Sequence, residues 1–142
     1  MAIWNFEFDV IPKGAPAPVD TSEGIDCSAS WEDAVEPDWD AIADGCLEKA
    51  ESWSPDIKVW GSEEYIELRV VHAKNAVLEA HIRVDVRVDS SQALTILTSR
   101  LESARLEIVV WPNDPFPPSG QEIWNYLKSS VAYQRFHGDA RE

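Results

Sequence analysis

From Leu78 to Val88 the chain alternates without a break, setting Leu78, Ala80, Ile82, Val84, Val86 and Val88 against Glu79, His81, Arg83, Asp85 and Arg87. Successive side chains of a strand point to opposite faces, so this segment needs one face in a core and the other in water. An antiparallel sheet meets that demand, whereas a parallel sheet buries both faces. The segment from Ile3 to Ile11 carries the same signal, with Trp4, Phe6, Phe8 and Val10 on one side and Asn5, Glu7 and Asp9 on the other. Pro12 ends it.

Residues 57–88 read as a three-stranded meander. Taking Gly61-Ser62-Glu63-Glu64 as a four-residue loop pairs Val59 with Ile66 and Ile57 with Leu68 on one face. The other face then pairs Trp60 with Tyr65 and Lys58 with Glu67. A two-residue turn at Lys74-Asn75 would set Leu68 against His81 and mix the faces. A three-residue loop, Lys74-Asn75-Ala76, matches Leu68 with Ile82 and Glu67 with Arg83. A five-residue loop also keeps the faces apart.

Three helices are expected. Trp39, Ala43, Cys46, Ala50 and Trp53 recur at helical spacing, with Ile42 and Leu47 widening the stripe. Pro37-Asp38 is a start signal and Ser54-Pro55 a stop, while Gly45 inside costs about 1 kcal/mol relative to alanine. Asp89-Ser90-Ser91 opens a second helix carrying Leu94, Leu97 and Leu101. A capping box, Ser119-Gly120-Gln121-Glu122, opens a third with Ile123, Trp124, Leu127 and Val131. Leu106, Ile108 and Val110 form a strand between these two. The expected fold is α+β, a single domain over 1–142 in the order β-α-β-β-β-α-β-α. It has a mostly antiparallel sheet with helices packed on one face. Residues 12–30 read as a proline-rich irregular linker and 137–142 as a frayed tail.

Charge is distributed unevenly. The net charge is −14, and residues 1–64 hold 16 acids and 3 bases against 10 acids and 9 bases in 65–142. Such a field repels phosphate backbones and anionic membrane surfaces, and steers a basic protein toward the first half. On the expected first helix, Asp40, Asp44, Glu48 and Glu51 fall opposite the apolar stripe, with Glu32, Asp33, Glu36 and Asp38 just upstream. These eight carboxylates are the candidate partner-binding face; a solvated face that only aids solubility is the competing reading.

Other chemistry is sparsely signalled. Asp38-Trp39-Asp40 and Asp44 lack the glycine and closing glutamate of a calcium loop, so no metal is expected. No catalytic or cofactor motif occurs, so neither catalytic residues nor a cofactor are assigned. His81 falls opposite Arg69 on the polar sheet face, with Glu67, Arg83 and Asp85 around it. That group can do acid–base work, but cross-strand neutralisation explains it with less. Trp4, Trp39, Trp53 and Trp124 lie on apolar stripes and read as core, whereas Trp60, Tyr65 and Trp111 read as an exposed aromatic patch. Cys27 and Cys46 lack a CxxC context, and the chain shows neither an export signal nor a span of ~20 apolar residues. Reduced thiols in the cytoplasm are the expectation.

The leading expectation is a non-enzymatic, cytoplasmic binding protein of the immunity or inhibitor type. Its acidic first half would occupy a basic site on a protein partner. Two alternatives stand beside it: a small-molecule-binding or enzymatic domain using the open sheet face at His81, Arg69 and Arg83, and a homo-oligomeric subunit joined through Trp60, Tyr65 and Trp111.

Overall fold

A computed structural model describes residues 4–22, 24–74 and 76–137. Ile3 of the expected first strand, Asn75 of the expected loop and 138–142 of the expected tail lie outside these residues. The elements are β1 (Asn5–Pro12), β2 (Val19–Thr21), β3 (Gly24–Asp26), α1 (Ser28–Trp31), α2 (Trp39–Ala43), β4 (Lys49–Ala50) and β5 (Ile57–Gly61). They continue with β6 (Ile66–Ala73), β7 (Ala76–Asp85), α3 (Ser91–Ser103), β8 (Leu106–Val109), α4 (Gly120–Ser129) and α5 (Val131–His137). The fold is α+β, built on one antiparallel six-stranded sheet ordered β4-β5-β6-β7-β1-β8.

Alternation does what the sequence demands from Ala80 to Val86, whereas β7 ends at Asp85 and Leu78 and Val88, expected on the core face, are exposed. Phe6, Phe8 and Val10 of β1, Leu68 and Val70 of β6 and Ile82 and Val84 of β7 all enter one buried cluster. Leu94, Leu97 and Leu101 of α3 and Ile123 and Leu127 of α4 complete it. Burying each such side chain is worth about 1.5–3 kcal/mol, which dominates the stability of the fold. The opposite face carries Glu7, Asp9, Arg69, His81 and Arg83, paired across strands as Glu7↔Arg83, Asp9↔His81 and Arg69↔His81.

The β6–β7 pairing matches Leu68 with Ile82 and Glu67 with Arg83, as expected, but reaches that register by another route. The strands turn tightly between Ala73 and Ala76, and a bulge between Val71 and His72 absorbs the extra residue. The β5–β6 pairing departs from expectation. Trp60 lies opposite Leu68 and Val59 opposite Arg69, a three-residue shift that turns every β5 side chain to the other face. Gly61 causes this. It is the last residue of β5 rather than the first of the loop, with φ 87° and its N–H donating to Glu48 O at 2.7 Å. A Cβ there would collide with the Ile66 carbonyl, so only glycine fits.

The first expected helix is also shorter than its apolar spacing implies. Asp38 caps it as expected, accepting from Ala41 N at 3.1 Å, but α2 ends at Ala43. Gly45 takes the left-handed conformation (φ 76°), and the N–H groups of Cys46 and Leu47 turn back to Ala43 O. Gly45 is therefore a stop rather than a tolerated cost, and Ser54-Pro55 plays no part. Glu48 and Glu51 consequently lie beyond the helix, on the turn before β4 and just after β4. Two further departures are smaller. The 12–30 linker contains the β2–β3 hairpin. Val131 belongs to α5 and is exposed, because the chain breaks at Ser130.

Arg100 of α3 anchors the end of α2, donating from Nη1 to Ala41 O at 2.9 Å and to Asp44 O at 2.7 Å. A cation at a helix C-terminus also answers its dipole. Arg100→Met is expected to lower stability by about 1–3 kcal/mol and to speed amide exchange at Ile42 and Leu47. Thermal unfolding and hydrogen exchange read this, and unchanged exchange there would show that Arg100 does not hold the helix end.

Candidate functional site: an acidic cleft at the sheet edge

The early stop of α2 has a consequence for the acidic residues. Instead of lining one helix face, they surround the space between α2, the turn after it and the β4–β5 edge. A cleft of about 630 Å³ is lined there by Asp40, Asp44, Glu48, Lys49 and Trp60, with the Gly45–Leu47 turn as one wall. A second cleft of about 240 Å³ shares Asp40, Lys49 and Trp60 and adds Glu36, Asp38 and Lys58. Together they present five carboxylates and two lysines, a local net charge of −3.

Trp60 forms the floor. The residue is 2% exposed, its Nε1 donates to Asp40 Oδ1 at 2.9 Å, and Lys49 Nζ sits 4.9 Å from the ring centroid. The other end is pinned by Glu36, whose Oε2 accepts from Trp39 Nε1 at 2.7 Å and lies 2.6 Å from His72 Nε2. Glu36, Asp38 and Asp40 are thus fixed by internal bonds. Asp44 and Glu48 carry no side-chain hydrogen bond or ion pair among the described residues, so their charge is free to meet something else. Glu32 and Asp33, which follow α1, and Glu51 are exposed on flanking segments and line neither cleft.

A third cleft of about 400 Å³ adjoins through Lys49 and Lys58 and is lined by Trp53, Pro55 and Ile57. Trp53 is 83% exposed and Val35, beside Glu36, is 92% exposed. Trp53 therefore corrects the expectation of a core residue: with α2 ended at Ala43, no helical stripe carries it inward. The patch expected from Trp60, Tyr65 and Trp111 does not exist. Trp60 is buried, Tyr65 is partly buried against the core, and Trp111 follows β8 at the far edge of the sheet. A signal for Trp53 was present in the sequence, in Gly45 read as a stop.

The open sheet face brings His81, Arg69 and Arg83 together, and each is already engaged. His81 donates from Nδ1 to Asp9 at 2.8 Å and from Nε2 to Glu7 at 2.9 Å. Burial pushes its pKa down, but the two carboxylate hydrogen bonds and charges outweigh this and raise it to about 9. The hydrogen bond from His81 in turn holds Glu7 below the usual carboxylate range. Arg69 pairs with Glu67 at 3.0 Å, and Arg83 with Glu63 at 3.5 Å and Glu7 at 3.6 Å. None of the three clefts is lined by His81, Arg69 or Arg83.

Cys27 and Cys46 are free thiols, and burial pushes the Cys27 thiol up to about 12, which leaves it protonated and inert. Among the described residues no three His, Cys, Asp or Glu side chains converge as a metal site, and no helix is long and apolar enough to cross a membrane. The chain matches no protein-family model, no curated protein and no solved structure in the corresponding searches.

Proposed function

We propose that this is a small, non-enzymatic, cytoplasmic binding protein whose acidic cleft docks on a basic site of another protein, as an immunity or inhibitor protein does. The observation that carries the reading is the convergence of Glu36, Asp38, Asp40, Asp44 and Glu48 on adjoining clefts at one sheet edge, where Lys49 and Lys58 are the cations that line the same space. Carboxylates gathered this way repel one another, and a partner's Lys or Arg relieves that repulsion on docking. The open sheet face offers no comparable excess, because its cations and anions neutralise each other across the strands.

The test uses the whole chain as bait in lysate of its own organism, beside Asp44→Lys plus Glu48→Lys. These two positions are preferable to Asp40, whose replacement would also strip Trp60 Nε1 of its acceptor. A strongly basic protein is expected, bound on the order of 100-fold more weakly by the double variant and released as salt rises. The captured protein's own activity should fall when wild-type chain is added. Capture that is indifferent to both salt and charge reversal contradicts the reading.

A further inference from the structure

Trp53 stands at the end of the acidic cleft with 83% of its surface in water, the largest side chain of this edge left without cover. No internal role accounts for it. Its indole makes no hydrogen bond among the described residues, and its neighbours in the adjoining cleft, Pro55, Ile57, Ala50 and the Lys49 and Lys58 stems, form an apolar shelf. Leaving an indole in water costs the burial energy that a core position would have returned. Tryptophan is also the residue most enriched among those that dominate binding energy at protein interfaces, where it fills a desolvated pocket inside a polar rim. Such a rim is in place at this edge: Asp40, Asp44 and Glu48 on one side, Lys49 and Lys58 between.

We infer that Trp53 is the apolar anchor of the docking surface, and that the partner carries an apolar slot immediately beside its Lys or Arg residues. This rests on the acidic-cleft reading and adds the second half of the partner's chemistry. The charges steer and orient the encounter; Trp53 supplies contact that salt does not screen.

The two halves separate in one experiment. A random dodecapeptide phage library is selected on the immobilised wild-type chain, on Trp53→Ala and on Asp44→Lys plus Glu48→Lys. The wild type should enrich peptides with Lys or Arg and an aromatic or aliphatic residue at fixed spacing. Trp53→Ala should keep the basic positions and lose the apolar one. The synthetic wild-type consensus peptide should bind Trp53→Ala at least tenfold more weakly, with an unchanged dependence on salt. Because Trp53 is exposed, the variant's unchanged thermal unfolding serves as the folding control. An identical consensus on Trp53→Ala, or affinity within twofold, overturns the inference while leaving the acidic site standing. A wild-type consensus without basic residues, or one unmoved by the charge reversal, overturns the acidic site instead.

Discussion

Trp60→Ala should lower the unfolding free energy by about 3–5 kcal/mol, whereas Trp53→Ala, seven residues earlier, should change it by less than about 0.5 kcal/mol. The contrast comes from Gly61 ending β5, which turns Trp60 inward opposite Leu68 and into the same buried cluster as Leu47 and Ile66. Truncation would open a cavity beneath the cleft and leave Asp40 without the Nε1 donor at 2.9 Å. Trp60→Phe should recover most of the packing but not that hydrogen bond, and fall between the two, about 1–2 kcal/mol below wild type. Urea unfolding at neutral pH reads all three. Equal losses at Trp53 and Trp60 would mean that the β5 register is the one in which Trp60 faces Tyr65.

His81 makes the second large contribution, and it depends on pH. Its folded pKa is about 9 against an ordinary 6.5, with Asp9 and Glu7 of β1 bonded to it and Arg69 and Arg83 facing it from β6 and β7. A raised base is stabilising when protonated. The stability is therefore fully present below about 6.5 and lost as the pH climbs through about 9. At about 1.4 kcal/mol per unit, the loss is on the order of 3 kcal/mol. Wild type and His81→Gln should differ most near pH 6 and converge by about this amount near pH 10. Glu7 acts with the opposite sign: its lowered pKa adds stability above the ordinary carboxylate value and gives it up as the pH falls into the acid range. Cys27, raised from an ordinary 9 to about 12, keeps its proton in the folded state while the unfolded thiol ionises, so it lowers the stability of both proteins equally above about pH 9 and cancels from their difference. A gap between the two proteins that is constant from pH 6 to 10 would mean that folding does not raise the pKa of His81.

Where periodicity was long and unbroken, the sequence was legible. The alternation placed His81 opposite Arg69 on a polar face, and that is where they lie, although it failed at the ends of the long run, where Leu78 and Val88 are exposed. Where a glycine decided the outcome, it was not. Gly45 and Gly61 both take positive φ, which no pattern of apolar residues reveals, and each redirected the chain beyond it. Gly45 ended a helix that the spacing of seven apolar residues extends on paper, freeing Glu48 to line a cleft and Trp53 to face water. Gly61 pushed the start of the loop back by one residue, and with five residues between the paired Gly61 and Glu67 the register moved by three. The acidic residues could be named from charge alone, yet the helical face expected of them was wrong. They are gathered instead by a turn, a two-residue edge strand and the side chain of Arg100 from a distant helix.

The acidic edge as a docking surface is tested most directly by mapping where a captured basic protein sits. Amide hydrogen exchange on the complex, compared with the free chain, should slow across residues 38–60 and leave β1, β7 and β8 unchanged. Protection centred on Glu7, His81 and Arg83, or around Trp111 at the far edge, would place the partner on another surface and refute the acidic cleft as its site.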